Sequence, residues 1–372
     1  MLRIGITGQN GFVGKHLFNT LGLFPEEFER VLFERAFFED AEKLNKFTRQ
    51  CDVIVHLAAM NRHDDPQVIY DTNIQLNQKL VDSLQAVGSK AHVIFSSSTQ
   101  EERDNLYGKS KKEGRELLLN WVESGEGKFS GLIIPNVYGP FGLPYYNSVV
   151  ATFCHQLTHD ESPKIDNDGE LKLIYVGELV EEILTEIREN KGNEKRIVEH
   201  RSEVKVSEIL HLLEKYKKDY LDQGVIPEIN GKFELNLFNT YRSFIDFKNH
   251  YPVNFTKHTD DRGSFVEVIR LGIGGQVSFS TTVPGITRGN HYHTRKIERF
   301  AVIKGKALIQ LRKIGTDEVL DFYLDGENPS YVDMPIWYTH NIKNIGDEIL
   351  YTNFWINEFY DPNDADTYFE NV

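Results

Sequence analysis

The sequence predicts two fold classes joined in one chain: an α/β doubly wound parallel sheet over residues 1–245, and an all-β jelly-roll barrel over residues 252–372. Three observations predict this. A glycine-rich turn follows the first apolar run directly, at Gly8. Apolar runs and helix-period segments then alternate as far as about residue 240. After Tyr241 the texture changes to short strands separated by turn residues, with no convincing helix from Asn254 onward.

In the first half, RIGITG, CDVIVHLAA, HVIFSSS and GLIIPNVYG are short runs rich in Val and Ile. Between and after them lie helical patterns such as YDTNIQLNQKLVDSLQAVG, KSKKEGRELLLNWVES and LIYVGELVEEILTEIRE. A sheet covered on both faces needs strands that are apolar throughout, and each parallel crossover needs a helix. A polar helix near VSEILHLLEKYKKDYL closes this half. The second half reads GSFVEVIR, GQVSFSTTV, ERFAVIKG, KALIQLRK, EVLDFYL and ILYTNFWIN, the spacing of an antiparallel barrel or sandwich.

The bulk composition narrows the function classes. A chain of 372 residues suits two domains, and 40% apolar with 12% aromatic residues excludes a disordered chain. No run of about 20 apolar residues occurs, so no membrane insertion is expected. MLRIGITGQNGFVG lacks the apolar run and cleavage site of a signal peptide. Two cysteines, Cys51 and Cys154, give no disulfide framework and point to a reducing cytoplasm. The net charge of −14 argues against a general nucleic-acid surface. Residues 288–313 nevertheless carry eight basic side chains and one acidic one, Glu298. Solvated strand faces or a local anion site would both explain them.

TGQNGFVG places Gly8, Gly11 and Gly14 directly after the first strand, with Asn10, Phe12 and Val13 between them. Glycines let the backbone turn tightly against a pyrophosphate, and the next helix presents free N–H groups to it. This is a Rossmann-like nucleotide site in the required strand–turn–helix context. Cofactor type stays open at this point. Glu34 would accept from a ribose 2′-hydroxyl, as for NAD, whereas Arg35 would pair with the 2′-phosphate of NADP.

Tyr107 and Lys111 are one helical turn apart in LYGKSKKEG, so their side chains share a face. An ammonium there is expected to lower the tyrosine pKa, and the phenol can protonate a carbonyl oxygen as hydride arrives at its carbon. Ser98 ends HVIFSSS at the crevice edge of the sheet, where its hydroxyl can bind the same oxygen. TGQNGFVG, HLAA, FSSS and YGKSK resemble the extended short-chain dehydrogenase/reductase family, particularly its nucleotide-sugar branch, over about the first 240 residues. The resemblance implies cofactor contacts at Leu57, Ala58 and Ala59, and a relay-water role for Asn73. PNVYGP is similar to the segment beside the nicotinamide, with Pro135 on the cofactor and Asn136 on the substrate. Only eight residues separate Ser98 from Tyr107, shorter than is usual in that family, which suggests a trimmed loop and a more open site.

In the second half, PGITRGNHYHTRKIERFAVIKG holds His291, His293 and Glu298, and His340 follows in MPIWYTHNIKN. Residues two apart on a strand share a face. Burying three imidazoles and a carboxylate together without a common ligand would be costly. The set suits a divalent transition ion, with Zn2+ first and iron, manganese or nickel as alternatives. The motif resembles the cupin superfamily, with Trp337 standing where a glycine is usual. DDRGSFVE and PGITRGNHYH are further similar to the dTDP-4-dehydrorhamnose 3,5-epimerase branch. That resemblance implies a diphosphate contact for Arg288 and proton abstraction beside a keto group. It also sets His291 on the base position, where this chain needs a ligand, so Tyr338, Lys296 and Lys306 are held as other candidates for the base.

The order of the two modules resembles the bifunctional capsular polysaccharide enzymes of the CapF type. The resemblance implies a homodimer acting on a UDP-activated amino sugar, with C3 epimerisation by the cupin. Reduction of the C4 keto group with NADPH follows, on the route to UDP-L-FucNAc. A reductase whose cupin only dimerises or binds ligand is the competing reading, and a sugar-nucleotide sensor a third.

Overall fold

Residues 1–123, 125, 127–261 and 263–372 are described by a computed structural model, in which the chain groups into two units. The first takes Met1–Thr152 and Asn167–Val206, the second Phe153–Asp166 and Ser207–Val372. The boundary expected between residues 245 and 252 marks the change from helix to strand, since the last helix ends at His250 and the next strand begins at Val253. Packing divides the chain earlier, because the helices after residue 207 are held by the strands that follow them.

The first unit runs β1 (Leu2–Thr7), α1 (Phe12–Leu21), β2 (Phe28–Val31), α2 (Ala41–Gln50), β3 (Val53–His56), α3 (Pro66–Ala86), β4 (His92–Ser98), α4 (Leu106–Glu123), β5 (Lys128–Ile134) and β6 (Asn136–Tyr138). There follow α5 (Val149–Thr158, shared with the second unit), β7 (Glu170–Tyr175), α6 (Val176–Glu189), β8 (Asn193–Ile197) and β9 (Ser202–Lys205). A parallel sheet forms in the order β2-β1-β3-β4-β5-β8, and β6, β7 and β9 make a smaller sheet.

Alternate residues of the main sheet feed two cores. Ile4, Ile6, Val53, Val55 and Ile94 pack with Leu17 of α1 and Leu179 and Ile183 of α6. Ile54, Val93 and Phe95 pack on the other face with Phe47, Leu80 and Leu118. Each such side chain contributes roughly 1.5–3 kcal/mol by leaving water, which is why central strands have no polar face. The Asp40 carboxylate accepts from Lys43 N to cap α2, and Asp65 with Pro66 starts α3. The strand order reverses at β1, between β2 and β3, and that switch point opens the cofactor crevice.

The second unit begins with α7 (Val206–Tyr216), a π-helical continuation over Lys217–Asp222, α8 (Gly231–Arg242) and α9 (Phe247–His250). Twelve strands follow: β10 (Val253–Asn254), β11 (Lys257–Asp260), β12 (Gly263–Val266), β13 (Gln276–Thr282), β14 (Thr287–Tyr292), β15 (Glu298–Lys304), β16 (Lys306–Lys313), β17 (Val319–Asp325), β18 (Ser330–Met334), β19 (Tyr338–Asn344), β20 (Leu350–Ile356) and β21 (Tyr368–Phe369). Two five-stranded antiparallel sheets, β10-β18-β15-β20-β13 and β17-β16-β19-β14-β21, form the cupin-like barrel. Arg299 and Asp333 face outward from it as a buried bidentate pair at 2.7 and 2.9 Å, and Tyr220 donates to Asp333 at 2.7 Å. Arg242 donates to the Met334 carbonyl at 2.9 Å, so the helical segment is bonded to the barrel by buried polar groups.

Candidate active site and metal centre

At the switch point, Gly8 turns with φ +77°, and a Cβ there would sit 3.0 Å from Ala58 N. A Cβ on Gly14 would meet the Gly8 carbonyl at 2.3 Å, so α1 approaches β1 only because position 14 is bare. Gly11 caps α1, whose first turn holds Phe12 and Val13. The cleft above this turn has a volume of about 460 Å³. Its walls include Gly8, Asn10, Gly11, Ala58 and Ala59, while Leu57 N bonds to Thr7 O one residue before them. Arg35 also lines the cleft; Glu34, its rival for setting cofactor type, is exposed just before it. Sequence reasoning missed Arg62, Gln9 and Tyr146 on the same walls. Arg62 donates to the Tyr145 and Tyr146 carbonyls across more than 80 residues of sequence, a pairing with no local signal.

Thr7, His56 and Phe95 are in register across β1, β3 and β4, so Ser98 lies three residues further along the same carboxyl edge. Its Oγ accepts from Gln100 N at 3.2 Å, which leaves its own proton for another acceptor. Tyr107 and Lys111 open α4 as expected, with Lys111 Nζ 5.9 Å from the Tyr107 ring centre and bonded to the Ser96 carbonyl at 2.9 Å. The expected lowering of the tyrosine pKa is not what this environment gives. Burial, with Tyr146 nearby, pushes Tyr107 up to about 12, and burial pulls Lys111 down to about 8 against the opposing charge of Glu101. Desolvation outweighs the lysine because the ammonium is directed at Ser96. A phenol that keeps its proton at neutral pH is the form that carbonyl reduction needs.

Asn73 is buried, and its side chain is engaged: Oδ1 accepts from Met60 N at 2.7 Å while Nδ2 donates to Met60 O and Ser110 Oγ, both at 3.1 Å. It ties the segment after β3 to α4. Pro135 is buried between β5 and β6, and Asn136 is exposed beside it. The trimmed connection between Ser98 and Tyr107 is a short 3-10 turn over Thr99–Glu102, closed by a buried Glu101–Arg115 pair.

In the barrel, one ligand atom each from His291, His293, Glu298 and His340 lies within 4.8 Å of the others. His291 opposes His340 in register, after a bulge where Asn290 takes φ +62°. Trp337 makes the turn before β19 with φ +60°, stacked on Tyr292 at 5.7 Å, so the turn survives without the expected glycine. The Asp366 carbonyl fixes His293 Nδ1 as a donor at 2.5 Å, and a neutral ring then aims its Nε2 lone pair at Glu298. His293 Nε2 and His340 Nε2 stand 3.1 and 3.2 Å from the same Glu298 oxygen. All three atoms are buried without a hydrogen-bond partner among the described residues. Converging lone pairs and a carboxylate require a cation or protons between them, and the imidazole–carboxylate set fits a divalent ion.

The basic stretch does not pool into one anion site. Arg295 pairs with Glu358 and Asp364, Arg299 with Asp333, Lys304 with Glu348 and Arg312 with Glu370. Lys296 is buried, with its Nζ bonded to the Ala365 carbonyl. Lys306 lies at the far end of β16, five residues from Leu311, the partner of His340. Tyr338 stands on the His340 face of β19, two residues away, and Arg288 is exposed on β14. Arg262, in the DDRG segment, lies outside the described residues.

Comparison with known proteins follows the same division. The NAD dependent epimerase/dehydratase family matches residues 4–199, and the polysaccharide biosynthesis C-terminal domain matches residues 258–368. Over 99% of its length the chain is 32% identical to a Pseudomonas aeruginosa protein named UDP-2-acetamido-2,6-beta-L-arabino-hexul-4-ose reductase, 98% of which is covered. A crystal structure of the capsular polysaccharide assembling protein CapF from Staphylococcus aureus matches at 35% identity and a TM-score of 0.62, with 100% of both chains covered. The structure of RMD from Pseudomonas aeruginosa, complexed with NADPH, shares the fold at 20% identity and a TM-score of 0.53, over 59% of this chain and 83% of that one.

Proposed function

This chain belongs to the NAD dependent epimerase/dehydratase family, with a polysaccharide biosynthesis C-terminal domain behind it, and from that premise we propose that it reduces the C4 keto group of a UDP-activated 2-acetamido-2,6-dideoxy sugar with NADPH. The product is UDP-2-acetamido-2,6-dideoxy-L-talose, on the route to UDP-L-FucNAc. The cupin epimerises C3 of the 4-keto sugar beforehand. One observation carries the reading: the chain is related from end to end, through both units, to a protein named as a UDP-hexul-4-ose reductase. A soluble homodimer in the cytoplasm completes the proposal.

In the reductase unit, the α1 N-terminus and the bare glycine turn receive the pyrophosphate, and Arg35 takes the 2′-phosphate. NADPH, when bound, supplies the hydride. Tyr107 donates its proton to the C4 oxygen, and the Ser98 hydroxyl bonds to the same oxygen and orients it. Lys111 holds its positive charge beside Tyr107, where it steadies the phenolate left after donation. Asn73 keeps the wall after β3 in place, and Asn136 and Pro135 border the sugar and nicotinamide.

In the cupin, His291, His293, Glu298 and His340 would hold the ion, zinc first, with iron, manganese or nickel possible on the same donors. Such an ion acts as a Lewis acid towards a keto oxygen, which acidifies the neighbouring C–H. Arg288, exposed on β14, is the proposed diphosphate contact, and Tyr338 leads the candidates for the base. The relative's name mentions reduction alone, which favours a second reading in which the cupin binds without catalysis.

NMR analysis of products from a UDP-4-keto-6-deoxy-HexNAc separates the two. Without NADPH, epimerisation in D2O places deuterium at C3; with NADPH, the talo sugar accumulates. Reduction with no deuterium at C3 would leave the cupin as a binding module. Tyr107→Phe should abolish NADPH oxidation while NADPH still binds, and near-normal turnover in that variant would remove Tyr107 as the acid.

A further inference from the structure

The short connection between Ser98 and Tyr107 carries chemistry of its own. It holds a buried carboxylate, Glu101, which is 8% exposed and which the reaction described above does not use. Arg115 donates to it from α4 through Nε at 3.1 Å and Nη2 at 3.2 Å, and the Ser97 hydroxyl donates from β4. Arg115 is one helical turn beyond Lys111, so both cations reach back to the same strand end. One takes the Ser96 carbonyl and the other takes Glu101.

The fold makes room for this arrangement at two glycines. A Cβ on Gly131 of β5 would meet Arg115 Cδ at 2.6 Å, and a Cβ on Gly108 of α4 would meet the Gln100 carbonyl at 2.0 Å. The connection is also tied at both ends, by Ser98 Oγ accepting from Gln100 N and by Asn105 Oδ1 accepting from Gly108 N. A buried ion pair is a poor way to gain stability, because desolvation offsets most of its attraction. It is a good way to hold one geometry, because any other leaves charges unpaired.

We propose that Glu101 is a positioning residue of the reductase site: paired with Arg115 and Ser97, it fixes the short Ser98–Tyr107 connection and sets the negative charge that faces the Lys111 ammonium. The inference rests on the reading that Ser98, Tyr107 and Lys111 carry ketone reduction. Among the described residues, the charged and titratable groups that act on or lie near Lys111 are Glu101 from the connection, His56 from β3, and Tyr107 one turn earlier on α4. Burial keeps His56 neutral, so Glu101 is the one anion in this set.

The test compares kcat, KM, NADPH affinity and the pH profile of kcat in the full chain. Glu101→Gln removes the anion and leaves the Arg115 cation beside Lys111. NADPH affinity should stay within about twofold, kcat should fall about tenfold or more through misplacement, and the alkaline limb should move down by about one pH unit. Glu101→Asp should return the limb to its wild-type position while kcat recovers only in part. Arg115→Gln removes the opposite charge and should not move the limb down. Two results would overturn the proposal: a wild-type kcat and limb in Glu101→Gln, or the same downward shift in Glu101→Gln and Arg115→Gln, which marks loosening without electrostatics. If Glu101→Gln does not fold, Glu101→Asp and Arg115→Gln decide by the same criteria. Retained turnover in Tyr107→Phe would sink the underlying reading instead, and is scored separately.

Discussion

At the scale of single residues, Arg35 and Glu34 show what a sequence leaves undecided. They are neighbours with opposite charges, and either would settle cofactor type. The chain turns between them, so Arg35 meets the cleft at the start of a 3-10 turn and Glu34 ends outside it. Arg35→Ala should therefore raise KM for NADPH at least tenfold more than KM for NADH, since a charge-assisted phosphate contact is worth about 1.5–3 kcal/mol. Equal changes for both cofactors would show that another group, such as Arg62, reads the 2′-phosphate. The Tyr107–Lys111 pair makes a pH prediction. Lys111 sits at about 8 and Tyr107 at about 12, so in neutral solution the lysine is charged and the phenol is protonated. As pH rises through about 8 the lysine loses its proton first, and kcat for reduction should fall there while the phenol is still intact. A profile flat to pH 10 would mean that Lys111 keeps its charge when cofactor is bound.

At the scale of elements, the legible parts are those whose chemistry lies within one turn or one strand. The glycine turn, the Tyr107–Lys111 spacing and the His291–His293 alternation are all local; the first two sit on the elements the pattern implied, while His291 is on β14 and His293 lies one residue past its end. The supports are not local. Asp366 accepts from Thr294, Arg295 and Lys296, and its carbonyl holds His293, across about 70 residues of sequence. Nothing near Asp366 in the sequence marks it as a support. The sequence marks Trp337 as standing at a glycine position, but not what sustains its left-handed φ: stacking on Tyr292 and a bond from its N–H to the His293 carbonyl at 2.8 Å. The metal site should thus be a folding element as much as a reactive one. An ion at a hundred times its Kd stabilises by about 2.7 kcal/mol, so chelation should lower the Tm of the second unit by roughly 5–10 °C. His340→Ala should give the lower Tm without chelator and lose the response to added ion. A Tm unchanged by chelation in the wild-type protein would mean that protons, not a cation, hold those four side chains together.

At the scale of the whole molecule, the two chemistries can be separated only by substitution, not by cutting. A break near residue 250, where helix gives way to strand, would strip Tyr220 and Arg242 of the strand groups they bond to, Asp333 and the Met334 carbonyl. A break after Val206 avoids that but still leaves Phe153–Asp166, which groups with the second unit, on the other piece. No single cut follows the packing. Point variants in the full chain are therefore the clean test that epimerisation depends on the metal cluster and reduction does not. Losing one ligand of four should weaken ion binding severely while Tyr107, Lys111 and the glycine turn, all in the first unit, stay as they are. His293→Ala or His340→Ala should still bind NADPH at the wild-type affinity and should still reduce an already epimerised 4-keto sugar with kcat within about threefold. Exchange of the C3 proton for deuterium should drop at least a hundredfold, the size expected when a Lewis acid worth several kcal/mol is removed. Deuterium exchange at the wild-type rate in an ion-free variant would make the ion structural and move proton abstraction to side chains alone, with Tyr338 the first to substitute. Loss of reduction together with exchange would show instead that the second unit completes the reductase site.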